Sequence, residues 1–169
     1  MTRFRRTASS LALACTLGVL LAGGVAIAET PAAAAVSTAA CQIFEIKASN
    51  EGEGVDPALK ALSHKLKKPP FSSWKSFKLL KRHDKTVEKM KALNLDLVTG
   101  SKLALLFRGA SAAQPNKTRL RLTFTLDDKN GKRKLDGTIN LDSGDYSLIG
   151  GDSIEGGGTY IVAVSCKAP

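Results

Sequence analysis

Between Arg119 and Leu126 apolar and polar positions alternate. Leu120, Leu122, Phe124 and Leu126 interleave with Arg119, Arg121, Thr123 and Thr125, the period-two pattern of a half-buried strand. Asn130-Gly131 follows. It is a hairpin signal, because a two-residue turn of the favoured kind needs positive φ at both central residues. Pairing outward from that turn sets Leu126 against Leu135, Leu122 against Ile139 and Leu120 against Leu141. On the other face Asp127 meets Lys134, Thr123 meets Thr138 and Arg119 meets Asp142. Phe124 falls opposite Gly137, where a ring can cover a bare glycine. A slip of one residue would set leucines against charges, so the pattern specifies its own register.

Weaker alternations fill the rest of the chain. Cys41 to Ala48 reads as a strand, followed by a Gly- and Glu-rich loop over Ser49 to Val55. Asp56-Pro57 then opens a helix, with Asp as N-cap and Pro at the first helical position. Leu59, Leu62 and Leu66 form one apolar stripe, and Pro69-Pro70 ends the helix after about eleven residues. A helix that short is marginal alone and is expected to dock on a sheet. Phe71 to Trp74 is a crossing. Lys75 to Arg82 reads as a strand, Asp84 to Ala92 as strand and turn, and Leu93 to Leu97 as a strand. Thr99 to Lys102 is a turn, Leu103 to Phe107 a buried strand and Ala110 to Asn116 a loop. A glycine-rich connection, Gly150 to Gly158, leads to a last strand from Tyr160 to Cys166. The expected fold is mainly β: an antiparallel sandwich or strongly curled sheet of seven to eight strands, with one N-terminal amphipathic helix covering an edge or face.

The N-terminus has another logic. Arg3, Arg5 and Arg6 precede an uncharged apolar run, Leu11 to Ala28, which closes on Ala26-Ile27-Ala28. That is the layout of a cleaved secretory signal peptide. The expected organisation is a signal peptide over 1–28, a flexible Ala-rich leader over 29–40 and a single β-rich domain over 41–169. The product is expected to be exported, periplasmic or secreted. Cys15 lies in the signal segment, so Cys41 and Cys166 remain as an even pair at the two ends of the domain. In an oxidising compartment they are expected to form a disulfide.

The strings Ile46-Lys-Ala-Ser49, Asp56-Pro-Ala-Leu59, Lys67-Lys-Pro-Pro-Phe-Ser-Ser-Trp74 and Ser76-Phe-Lys-Leu-Leu80 resemble a group of small bacterial exported proteins without a known activity. The resemblance covers most of the mature domain. It implies export and one β-rich domain, and no site.

Charge adds the one feature with functional content. The chain carries 25 Lys and Arg against 15 Asp and Glu. Between Lys60 and Lys91 the acids are only Asp84 and Glu88. Lys65, Lys67, Lys68, Lys75, Lys78, Lys81 and Arg82 are the candidate polyanion-binding residues, because a concentrated positive face attracts anions over long range. Phe71, Trp74 and Phe77 are interleaved with them, either as stacking groups or as core. The partners expected are anionic envelope polymers or lipid headgroups, with no sequence-specific nucleic acid. The alternative is a structural or assembly protein of the envelope, acting through sheet edges or the Trp74 region. No catalytic motif emerges. Gly150 to Gly158 lacks the Gly-Lys-Ser/Thr of a phosphate loop. Asp128 to Lys132 puts a lysine where a calcium ligand belongs. Gly-x-Ser-x-Gly is absent. His64 and His83 are expected to face solvent, and they are too few to build a metal site with the cysteines. The reading is a non-enzymatic binding module without cofactor. An enzyme would need His64 or His83 in a cleft with a carboxylate and a nucleophile.

Overall fold

A computed structural model describes residues 36–114, 117–154 and 156–169. The segment read as a signal peptide, most of the stretch read as a leader, Pro115, Asn116 and Glu155 lie outside the described residues. Nine strands make up most of the described chain: β1 Thr38–Ser49, β2 Gly54–Val55, β3 Ser76–Glu88, β4 Ala92–Asp96, β5 Lys102–Gln114, β6 Lys117–Asp127, β7 Arg133–Asp142, β8 Tyr146–Ser153 and β9 Thr159–Lys167. They form two sheets in a sandwich-like arrangement. The first is strongly curled and five-stranded, in the order β2-β3-β1-β9-β8; the second runs β4-β5-β6-β7. All neighbours are antiparallel except the short parallel contact of β2 with β3. A mainly β sandwich is therefore the fold, as the alternation implies.

Two apolar clusters hold the layers together. Between the sheets lie Ile43, Val87, Leu103, Leu105, Phe107, Leu120, Leu122, Val162 and Val164 with their neighbours. On the outer face of the first sheet Phe44, Ile46, Ala48, Phe77, Ile161 and Ala163 pack under Leu59, Leu62 and Leu66. The centre of the first sheet is thus covered twice. Every residue of β9 from Tyr160 to Cys166 is buried. Each fully buried Leu or Ile contributes about 1.5–3 kcal/mol relative to exposure.

The covering segment is not the single α-helix of the sequence reading. Asp56 does cap it, accepting from the Ala58 N–H at 2.9 Å. A 3₁₀ helix then spans Pro57–Leu62, and only Ser63–Leu66, α1, is α-helical. The leucine spacing supplies the reason. Leu59 and Leu62 are three apart, the repeat of a 3₁₀ turn, and Leu62 to Leu66 is a four-residue α step. All three are fully buried.

The β6–β7 hairpin keeps the expected ladder from Leu126–Leu135 to Arg119–Asp142, including Phe124 opposite Gly137. Its turn differs. Gly131 N–H donates to Asp128 C=O, and Asp128 Oδ1 accepts from the N–H groups of Asn130 and Lys132. Only Gly131 has positive φ there, at 79°. The turn is a four-residue one closed by a glycine bulge, because the Asp128 carboxylate organises it one step earlier than Asn130-Gly131 alone would. Asp127 consequently meets Arg133 rather than Lys134.

Three further boundaries move. β5 continues through Gln114, across the stretch read as a loop, after a bulge at Phe107/Gly109. β8 takes in Gly150 and runs to Ser153, pairing with β9, so part of the glycine-rich connection is strand. β1 starts at Thr38, inside the stretch read as leader. Asp84 to Ala92 is strand as far as Glu88, then a turn at Met90, whose φ is 63°.

Candidate polyanion surface

The seven candidate residues come from two places. Lys65 lies in α1, and Lys67 and Lys68 follow it. Lys75, Lys78, Lys81 and Arg82 come from the start of β3 and the residue before it. Side chains paired across a ladder share a face. Lys78 pairs with Lys47, Lys81 with Glu45 and Lys85 with Cys41. Those partners lie opposite Tyr160, Val162 and Cys166 of the inter-sheet cluster. Lys78, Lys81 and Lys85 therefore share the inter-sheet side of β3. Arg82 pairs with Phe44, on the outer side.

The covering segment runs across that outer side. Near β3 the Asp56 carboxylate accepts from the Leu79 N–H at 3.3 Å. At its far end Lys65 reaches the β7–β8 turn, with Nζ 2.7 Å from Asp145 Oδ1 and 2.5 Å from the Tyr146 carbonyl. The chain then returns through a short 3₁₀ turn, Phe71–Ser73, so that the Lys75 N–H meets the Ser49 carbonyl. Lys67 and Lys68 accordingly belong to the β8 end of the segment, and Lys78 and Lys81 to the opposite rim of the sheet. The structure does not bring the seven into one face.

Two of the seven have protein partners. Lys65 is held by Asp145, which is half exposed. Burial acts to raise the Asp145 pKa, but the Lys65 and Tyr146 hydrogen bonds outweigh it and the net shift is downward. Arg82 grips Asp84 through two bonds of 2.8 Å and lies 5.6 Å from the centre of the Phe44 ring. That pairing lowers the Asp84 pKa. Lys67, Lys68, Lys75, Lys78 and Lys81 are exposed and have no acidic partner among the described residues, and the same holds for Lys60 and Lys85. The aromatics do not join them. Phe77 is buried in the outer cluster, and Phe71 and Trp74 pack against it.

β3 is also an edge. β2 covers it only at Ser76 and Phe77. Beyond Leu79, whose N–H Asp56 takes, its outer side has no ladder partner among the described residues as far as Glu88. An open strand edge invites pairing with another chain, and lysines along it oppose that. The Lys78, Lys81 and Lys85 series does this for β3 whatever else it does.

One polar constellation went unseen in the sequence. Glu45, fully buried in β1, accepts from Tyr160 Oη at 2.5 Å and the Val98 N–H at 2.7 Å, and its other oxygen lies 2.6 Å from His83 Nε2. His83 is therefore not solvent-facing as expected: only 10% of its side chain is exposed. Its place on the inter-sheet side of β3 puts it beside Glu45. Burial first, and then the neighbouring Glu45, raise the Tyr160 pKa well above 10 and keep the phenol protonated. The cluster joins β1, β3 and β9 of the first sheet to the β4–β5 turn of the second. Tyr160 also lines a cavity of about 640 Å³ with Val98, Thr99, Leu126 and Ile154. Both Glu45 oxygens are committed within the protein, so the arrangement serves to fasten the sheets. A signal for it exists in hindsight: a glutamate among Ile43, Phe44 and Ile46 is a charge in an apolar run, and a buried charge requires partners. His64 is exposed, beside Lys68 and Phe71.

Cys41 and Cys166 are disulfide-bonded register partners of β1 and β9. The bond is compatible with an oxidising compartment. Among the described residues no helix is long and apolar enough to cross a membrane, and no group of three or more His, Cys, Asp or Glu side chains is placed to hold a metal. Compared with known proteins, the chain matches no family model, no curated protein and no solved structure.

Proposed function

We infer that this protein is an exported, non-enzymatic binding module that holds an envelope or extracellular polyanion through its basic rim. The observation that carries the reading is the charge balance along β3: Lys75, Lys78, Lys81 and Lys85 are exposed and without acidic partners among the described residues, while Arg82 already has Asp84. Unneutralised charge on a rigid strand raises the local concentration of anions and speeds their capture. Lysine presents a point charge rather than a fork, which suits loose attachment to a polymer of phosphates or carboxylates. Lys67 and Lys68 form a second, separate contact at the other end of the covering segment. The alternative, envelope assembly through sheet edges, has the edge lysines of β3 against it.

The test is retention of the disulfide-intact mature protein on isolated envelope fractions as salt rises to about 0.5 M, where exposed charges are strongly screened. Two double variants separate the patches: Lys78→Glu with Lys81→Glu, and Lys67→Glu with Lys68→Glu. The β3 pair is expected to lose retention even at low salt, and the second pair only in part. Salt-resistant retention unaffected by either pair would replace the polyanion by a protein partner.

A further inference from the structure

A second basic feature lies on the other sheet, and the functional reading above does not use it. On the outer face of β5, β6 and β7 a hollow of about 660 Å³ is lined by Lys89, Arg108, Gly109, Arg119, Arg121 and Asn140, among others, with no carboxylate in its wall. The cations come together because of the β5 bulge. Ladder pairing passes from Phe107–Leu122 to Gly109–Arg121, with Arg108 as the extra residue. Bulges re-aim side chains in this way and are frequent next to functional sites. Gly109 has φ +145°, and a Cβ there would stand 3.4 Å from Lys89 Cε and 3.8 Å from its Nζ. Glycine is required there by the backbone conformation, and the end of the Lys89 side chain lies over it at the register of Arg121.

The backbone fixes Lys89 in that position. Its N–H donates to the Ser37 carbonyl at 2.7 Å, and the next N–H, of Met90, donates to the Phe107 carbonyl at 2.8 Å. Counter-charges are scarce. Arg119 is paired with Asp142 at 2.8 Å. Arg108 gives its Nε to Thr123 Oγ1 at 3.2 Å and keeps its terminal nitrogens. Arg121 and Lys89 have no acidic partner among the described residues. Like charges gathered in a concavity repel one another, and an anion between them relieves that repulsion. Arginine forks bind the oxygens of a tetrahedral oxoanion in parallel pairs, and Asn140 and Thr138 in the same wall add neutral donors.

We propose that this hollow is a binding site for a phosphate-type oxoanion, held by Lys89, Arg108 and Arg121. It stands apart from the lysine rim of β3, and the two succeed or fail separately. Inorganic orthophosphate and linear polyphosphate are titrated into ¹⁵N-labelled, disulfide-intact protein at low ionic strength. Saturable shifts are expected at the amides of Gly109, Arg121 and Asn140. Arg121→Gln and Lys89→Gln should each weaken binding about tenfold with unchanged thermal midpoint. The β3 variant Lys78→Glu with Lys81→Glu should leave these shifts in place. Arg121→Lys keeps the charge and loses the fork, so it should weaken binding as well. Tighter binding of polyphosphate at the same amides assigns the site to a polymer-borne group, and equal binding assigns it to the free anion. Non-saturating shifts spread over all lysines, or wild-type affinity in both glutamine variants, would overturn the proposal.

Discussion

The β1–β9 pair and the β6–β7 hairpin are both antiparallel ladders, yet they are built on opposite terms. β1 and β9 meet across more than a hundred residues and are covered on both faces; Ile161 and Val162, adjacent in sequence, belong to different clusters. β6 and β7 meet through one short turn and are covered on one face, so Leu122 is buried while Thr123 lies on the other side, bonded to Thr138 at 2.9 Å. A strand covered once must advertise its faces by alternation. A strand covered twice has no polar face to show, and its partner must be found over a distance that the sequence does not mark.

The largest effect expected from breaking this contrast is at Glu45. Glu45→Ala would take the acceptor away from the buried Tyr160 hydroxyl, the largely buried His83 ring and the Val98 N–H at once. Each such donor left unsatisfied away from water costs about 1–3 kcal/mol, and the loss of a shared acceptor is seen as a lower denaturant midpoint of the oxidised protein. Next comes a direct comparison of neighbours. Ile161→Ala should cost about 2–5 kcal/mol and Val162→Ala about 1 kcal/mol less, since each empties a different core. On β6 only Leu122→Ala should reach that range, with Thr123→Ala within about 1 kcal/mol. Equal costs at Leu122 and Thr123 would dissolve the distinction between ladders covered once and twice. The smallest effect is at the hairpin turn. The Lys132 N–H lowers the Asp128 pKa, desolvation opposes it, and the Asn130 N–H adds to the lowering, so that the net shift is downward. A lowered folded-state value contributes stability above the unfolded pKa of about 4, and loses it as pH falls through the folded value. Asp128→Asn should therefore lower the neutral plateau of a pH–stability profile slightly and flatten its acid limb by the same amount, with stability at low pH unchanged.

Legibility follows the same division. The β6–β7 register could be read from Leu120 to Leu141 because every term in it is local. The turn was misplaced by one step because the Asp128 carboxylate, rather than the Asn-Gly pair, organises it. β8 was hidden in part because Gly150 has no side chain with which to alternate. Its bareness is a packing matter: a Cβ there would meet Ile161 Cγ1 at 3.0 Å, and Ile161 is a neighbour only through the β8–β9 pairing. The basic block was visible as composition, but its division between two ends of a sheet depends on the return path of residues 67–75. The Arg82–Asp84 pair was within reach of the sequence, since i and i+2 share a strand face. The partners of Glu45 lie 38, 53 and 115 residues away, and nothing local points to them.

The Cys41–Cys166 bond joins register partners of the first and last long strands. Tension applied to the two ends of the domain therefore meets a covalent clasp almost at once. Only the few ladder positions outside it, such as Ala40–Lys167, can peel away. The pull then passes from one end to the other through sulfur, and the hydrogen bonds and cores enclosed by the bond carry none of it. A domain pulled between its two ends would keep its shape for as long as that bond stays oxidised.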